Sequence, residues 1–130
     1  GTTLLWDFGY HDSFDDLDYL NAAVLLTRVI SKPGSDCITL DLGHKAVAAE
    51  NPHPRVQFIG LDNAEALVHS EEHLTLRTAD APDFKVGDCL YGIPRHICPT
   101  VALYDRAHVI RGGKLADQWQ VTARARKLTY

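Results

Sequence analysis

Methionine is absent from all 130 residues, and the chain begins Gly1-Thr2-Thr3. A start inside a longer reading frame is the expectation. Long apolar runs are also absent. No stretch approaches the ~20 consecutive apolar residues that a membrane-crossing helix needs. Gly1–Tyr10 lacks the basic opening of a secretory leader. Together these absences predict a cytoplasmic chain with no membrane partner. Positive charge is not in excess either: 13 Lys and Arg against 17 Asp and Glu leave a formal charge of −4. That balance argues against a nucleic-acid backbone as partner. The basic group Arg124, Arg126 and Lys127 reads as a solvated terminal strand. Cysteine is sparse and odd in number, with Cys37, Cys89 and Cys98 irregularly spaced and no C-x-x-C pair. A disulfide framework is therefore not expected. Cys37 and Cys89 lie in apolar, strand-like runs and are expected to be small buried hydrophobes.

What remains is an ordinary globular composition, 45% apolar and 23% charged. Residues 1–130 are expected to form a single domain with a core of its own. Thr3–Phe8 is short and apolar, and Tyr10–Tyr19 is acidic and turn-like, with Asp12-Ser13 as a helix-cap signal. Ala22–Ile30 is rich in β-branched residues and stops at Lys32-Pro33-Gly34-Ser35. Cys37–Leu42 then alternates with Ile38, Leu40 and Leu42 on one face, so the two segments should pair as a hairpin. Gly43–Glu50 has helix-favouring alanines, ended by the prolines of Asn51-Pro52-His53-Pro54. Val56–Ile59, Ala66–His69, Leu74–Thr78 and Cys89–Ile93 read as short strands. Ala107–Arg111 and Lys114–Gln118 flank Gly112-Gly113, a two-residue loop suited to a tight hairpin. Trp119–Ala125 reads as a final strand. The expected fold is all-β, a small barrel or sandwich of about eight short strands with one or two short helices.

Tyr91–Asp105, YGIPRHICPTVALYD, carries the densest chemistry. Pro94 and Pro99 bracket His96-Ile97-Cys98 and disfavour the helical region for their predecessors. In an extended chain, residues two apart point the same way. His96 and Cys98 would then converge, with Ile97 turned away. Imidazole and thiolate are preferred zinc ligands. Two ligands cannot make a closed structural site, so a metal there would keep open positions for water or substrate. The same spacing also describes a buried thiol and a hydrogen-bonded imidazole on a loop, and H-x-C by itself is a weak signal.

The run GIPRHICPTVALYD, followed by AHVIRGGKLADQWQVTARAR, resembles the C-terminal end of the D-threonine aldolase and D-serine dehydratase family. The likeness extends upstream through LTRVISKP, DLGHKAVAAENP and HSEEHLTL, covering the chain from about Ala22 onward. It implies the C-terminal β-domain of a fold-type III pyridoxal-phosphate enzyme whose N-terminal (β/α)8 barrel is a separate part of the same polypeptide. The family's metal pair, His-x-Cys or His-x-Asp before Pro-Thr, falls on His96 and Cys98. Cysteine at the second position is similar to the zinc-dependent dehydratases. Aspartate there would favour a harder ion such as manganese. DLGHKAVAAENP is similar to the aldolases, so the two cues point to different reactions. Lys32, Lys45, Lys85, Lys114 and Lys127 all lie in β-domain motifs or turns, so no residue of this chain is expected to bind the cofactor. The resemblance implies that pyridoxal phosphate belongs to the full-length enzyme, which would be a homodimer acting on a D-amino acid. The fragment alone is expected to be inactive.

In that setting, Tyr104 and Asp105 are candidates to support the metal loop by hydrogen bonds. His69-Ser70-Glu71-Glu72-His73 reads as a turn with solvent-facing acids. The alternative is a supporting or substrate-facing role for Glu72 and His73. His44 is either a structural hydrogen-bonding residue or one lining the active-site mouth. His11, His53 and His108 read as surface or turn residues. Two other functions remain: a free-standing β-domain that binds a metal or small ligand without catalysis, and a dimerisation domain.

Overall fold

The computed structural model describes residues 1–129. The fold is mainly β, a curled half-barrel sheet with three short helices. In chain order the elements are α1 (Thr2–Leu5), α2 (Phe8–Ser13), β1 (Leu25–Gly34), β2 (Cys37–Leu40), β3 (Val56–Phe58), β4 (Glu65–His69), β5 (Leu74–Arg77), β6 (Cys89–Pro94), α3 (Ile97–Val101), β7 (Arg106–Arg111) and β8 (Lys114–Gln120). Six strands form one antiparallel sheet in the order β3-β6-β1-β2-β5-β4, and β7 pairs only with β8. No helix among the described residues is long and apolar enough to cross a membrane.

Chain connectivity explains the curl. The two edge strands, β3 and β4, are consecutive in sequence and joined only by residues 59–64. A flat six-stranded sheet would separate its edges by roughly 24 Å. The link is shortened by a bridge between Phe58 and Leu61. The sheet therefore rolls until both edges flank one cleft of about 510 Å³, lined by Val56, Phe58, Leu61, Ala66, Leu74 and Leu76 among others.

Alternation fixes which face is interior. Leu25, Thr27 and Val29 of β1, Ile38 and Leu40 of β2, and Leu74 and Leu76 of β5 point inward and are buried. Burying each aliphatic side chain contributes about 2 kcal/mol before entropy is counted. The β1–β2 hairpin forms as expected, but β1 runs through Gly34 and the turn is Ser35-Asp36, because Pro33 is tolerated in the projecting, solvent-exposed end of the ribbon. Cys89 is exposed opposite Arg28, and Cys37 is only partly covered, so neither is the buried hydrophobe expected. Both lie on the outward phase of their strands.

Three further expectations are corrected. Gly43–Glu50 is a turn, not a helix, because outside partners take up its backbone groups: Ala48 N–H donates to Thr100 Oγ1 (3.1 Å), and Ala46 O accepts from Tyr104 Oη (2.7 Å). Asp12-Ser13 closes α2 instead of opening a helix, since Asp7 is the N-cap. The last strand ends at Gln120, and Thr122–Arg124 form a 3-10 turn. The Gly112-Gly113 hairpin forms as read, with both glycines at positive φ (55° and 74°).

Candidate functional site

The site begins at α3. Ile97–Val101 make one helical turn where an extended segment was expected. Pro99 falls in the first turn, where a missing N–H costs nothing, so it suits a helix start. His96 is the N-cap residue in extended conformation. Ile97 is buried in the body, while His96 and Cys98 stay partly exposed. The two side chains are near enough for each to act on the other's titration.

Four residues hold this pair. His96 Nδ1 lies 2.6 Å from Glu50 Oε1. Thr2 Oγ1 lies 3.0 Å from Cys98 Sγ. Thr100 Oγ1 donates to His96 O (2.8 Å). Asp7, fully buried, accepts from Tyr10 N with one carboxylate oxygen (2.9 Å) and from Ile97 N with the other (2.8 Å). One carboxylate thus caps α2 and pins the start of α3. Gly9 N–H donates to Arg95 O and docks α2 against the end of β6 (3.1 Å). A hollow of about 260 Å³ opens here, lined by Asp7, Tyr10, Asn51, Arg95 and His96 among others.

Electrostatics favours charge on both partners. Burial pulls the His96 pKa down, but the bond to Glu50 and then the nearby Cys98 outweigh it, and the net shift is upward. The Thr2 hydroxyl acts first on Cys98 and lowers its pKa against the burial that raises it. Among the described residues, no group of three or more His, Cys, Asp or Glu forms a ready metal cage.

A second cluster is joined to this one through Asn51. Arg55 Nη1 contacts His69 Nδ1 (3.1 Å) and His44 Nε2 (3.4 Å). Arg55 Nε donates to Asn51 O (2.7 Å). His69 Nε2 lies 3.0 Å from Leu42 O, which fixes the proton on Nε2 and leaves Nδ1 to accept from Arg55. The His44 and His53 rings lie 4.5 and 5.5 Å from that of His69. Burial, and then His44, press the His69 pKa down to about 4.

The other expected residues lie apart. Glu72 pairs with Lys45 at the surface (2.6 Å), and His73 is exposed, its carbonyl accepting from Ser70 N (2.9 Å). Tyr104 bonds Ala46 O, and Asp105 pairs with Arg124; neither bond reaches His96. Asp7, Glu50, Thr2 and Arg55 were not singled out from sequence. Only Asp7 had a local signal, an N-cap aspartate before an aromatic run.

The depressed His69 pKa predicts a pH effect. Neutral His69 stabilises the fold fully above its unfolded value of 6.5, and this is lost as pH falls from 6.5 toward 4. After allowance for solvent screening the loss is about 2 kcal/mol. Urea melts of the His69→Gln variant should show less acid sensitivity than wild type across that window. Raised His96 contributes with the opposite sign, present below 6.5 and lost above its folded value, so the wild-type minus variant difference is the quantity to read. Parallel curves would refute the assignment.

A family model described as "Putative serine dehydratase domain" matches residues 22–110, and the chain belongs to that family. D-threonine aldolase of Arthrobacter sp. is 33% identical over 121 residues, covering 91% of this chain and 31% of that protein. An uncharacterised protein of Mycobacterium tuberculosis is 36% identical over 115 residues, covering 85% of this chain and 86% of that protein. The crystal structure of D-threonine aldolase from Filomicrobium marinum superposes with a TM-score of 0.83 at 23% identity, covering 96% of this chain and 35% of that one. A D-threo-3-hydroxyaspartate dehydratase Cys→Ala variant in the metal-free form gives 0.73 at 17% identity, covering 92% and 37%. At these identities the structural likeness is one of fold. The chain spans about a third of the aldolase's length and most of the mycobacterial protein's.

Proposed function

We infer that this chain is the metal-bearing C-terminal domain of a pyridoxal-phosphate-dependent lyase acting on β-hydroxy D-amino acids. The observation that carries this reading is the His96–Cys98 pair at the start of α3, with Glu50 on Nδ1 of the imidazole. A carboxylate on the non-ligating nitrogen is the usual device for orienting a metal-bound histidine. It would hold the Nδ1 proton and leave Nε2 as the ligating nitrogen. The donor set fits a zinc-like ion with open positions. Two solved variants of the dehydratase support the choice of residues: their alanine substitutions replace a histidine and a cysteine two positions apart, the spacing of His96 and Cys98.

When bound, the ion supplies Lewis-acid polarisation of a substrate hydroxyl, and the cofactor of the longer enzyme supplies an electron sink. The chain's own residues prepare the place. Glu50 fixes the imidazole, Thr2 favours the thiolate, and Asp7 keeps the Ile97 backbone from drifting. Missing ligands would come from water, substrate or the barrel domain of the same polypeptide. This arrangement serves carbon–carbon cleavage and dehydration alike. Family membership supports the lyase class, and the D-threonine aldolase relative favours cleavage.

Zinc titration against a chromophoric chelator tests the site. The wild-type chain should bind one equivalent, with affinity lowered at least ~10-fold in His96→Ala and in Cys98→Ala, and on the order of 10–100-fold in Glu50→Gln. Equal zinc uptake by wild type and both ligand variants would reject the site. For the reaction, the full-length protein loaded with pyridoxal phosphate is given D-threonine. Glycine and an aldehyde indicate cleavage, a keto acid and ammonia indicate dehydration, and neither product overturns the lyase reading.

A second reading has its own support. The mycobacterial relative is covered over 86% of its length, so the β-domain also accounts for most of a short protein. That favours a metal- or ligand-binding domain without catalysis of its own.

A further inference from the structure

Arg55 is the partly buried arginine that no carboxylate answers. Among the described residues, Arg28, Arg77, Arg95 and Arg124 each pair with an acid. Arg106, Arg111 and Arg126 are exposed and can be neutralised by solvent ions. Arg55 is partly covered, and among the described residues it forms no ion pair. Glu50 is near enough to feel its charge, but one Glu50 oxygen carries both Asn51 Nδ2 (3.0 Å) and His96 Nδ1 (2.6 Å). Arg55 spends Nε on Asn51 O and Nη1 on two histidines, and no hydrogen bond from Nη2 is found among the described residues.

The surrounding groups choose the sign of the ligand. The fixed guanidinium charge repels a dication, and among the described residues no metal-holding group forms there. His69 is fixed with its Nδ1 toward Arg55, so it orients the guanidinium and leaves the charge in place. With Nε and Nη1 engaged, the Nη2 N–H groups remain to give a carboxylate a charge-assisted hydrogen bond. Arg55 and His53 also line the cleft between β3 and β4, which gives the rest of a small ligand room.

We propose that Arg55, flanked by His44, His53 and His69, forms a carboxylate-binding recess beside the cleft between β3 and β4. The two positions are linked through Asn51, whose carbonyl takes Arg55 and whose side-chain amide reaches the Glu50 that holds His96. Resting on the lyase reading, the carboxylate is that of the β-hydroxy amino acid. His96 and Cys98 then serve the hydroxyl end, and Arg55 the acid end. The recess itself does not require that reading.

The test uses the full chain with labelled histidine rings, titrated with malonate against sodium chloride at matched ionic strength. Saturable millimolar shifts are expected at His44, His53 and His69, with His11 and His108 unmoved. Arg55→Gln should weaken binding by about 10-fold or more. Arg55→Lys should weaken it too, since an ammonium group cannot hold Asn51 O, two imidazoles and a ligand at once. If either variant unfolds, the wild-type titration still decides: no saturable shift at the three rings overturns the recess. A parallel arm with inorganic phosphate separates sources, and tighter binding of phosphate than of malonate overturns the carboxylate assignment. His96→Ala should leave malonate binding intact. Loss of zinc binding with malonate binding retained therefore faults the metal site alone, and the reverse pattern faults the recess alone.

Discussion

Replacing Asp7 by alanine is expected to lower the melting temperature of the chain by roughly 10 °C and to weaken its hold on a metal at the same time. The substitution strips two backbone amides of their acceptor. The Ile97 N–H bond is buried, and the Tyr10 N–H bond partly so. An N–H left unpaired away from water costs about 1–3 kcal/mol, and the two together cost about 3 kcal/mol once relief of the carboxylate's own desolvation is allowed for. Asparagine should rescue little. Both Asp7 oxygens accept from N–H groups, so the side-chain amide nitrogen introduced by Asp7→Asn would turn a donor against a donor. Thermal melts by circular dichroism, paired with the zinc titration, read both effects. A melt within about 2 °C of wild type would show that the double cap carries no weight.

The same residue shows how much of the molecule could be read from the chain. Strands were legible wherever one face is buried, because the period of two is then written in neighbouring residues. Ile38 and Leu40, or Leu74 and Leu76, need only their own segment to declare a face. The Gly112-Gly113 hairpin was legible for a similar reason: its turn chemistry is local. Gly43–Glu50 was misread because helix propensity is a weak local preference, and Thr100 and Tyr104, some fifty residues away, claim its backbone groups. Pro99 was read as holding the chain extended, yet in a first helical turn it does the opposite.

The site divides along the same line. His96 and Cys98 are two residues apart, so the extended reading that puts them on one side is a local one, and α3 replaces that geometry with a helix start. Their supports are distant, Glu50 by 46 positions and Asp7 by 90 from its partner Ile97. No spacing rule links residues brought together only by the closure of the sheet. Arg55 was invisible for a further reason. Its significance is the lack of a counter-charge, which depends on where every carboxylate lies after folding. His69 stands in the His69–His73 motif, but the acids beside it point to Glu72 and His73, which face solvent.

Gly43→Ala is expected to be the most damaging small substitution near the recess. A Cβ at Gly43 would lie 2.1 Å from Glu71 O, 2.3 Å from the Glu71 carbonyl carbon and 2.3 Å from Glu72 N. These are backbone atoms and cannot turn aside as a side chain could. The two loops are also tied together, since His44 N donates to Ser70 O (2.8 Å) and Lys45 N to Glu71 O (3.0 Å). Relief of the clash must part the loops by more than an ångström, and both bonds go with it. Overpacking and the lost bonds together cost about 3–4 kcal/mol, a large share of the ~5–15 kcal/mol that stabilises an ordinary domain. An alanine at Gly60, with φ 78° and open space around it, meets only backbone strain of about 1–2 kcal/mol. Gly43→Ala should therefore melt well below Gly60→Ala. The damage should also be selective. Moving His44 against Ser70 disturbs the His44–His69–Arg55 contacts, whereas His96 and Cys98 are held from α3, Asp7 and Glu50. At a temperature where the variant remains folded, malonate binding should fall more steeply than zinc binding. Equal loss of both would mean that the two positions respond as one unit.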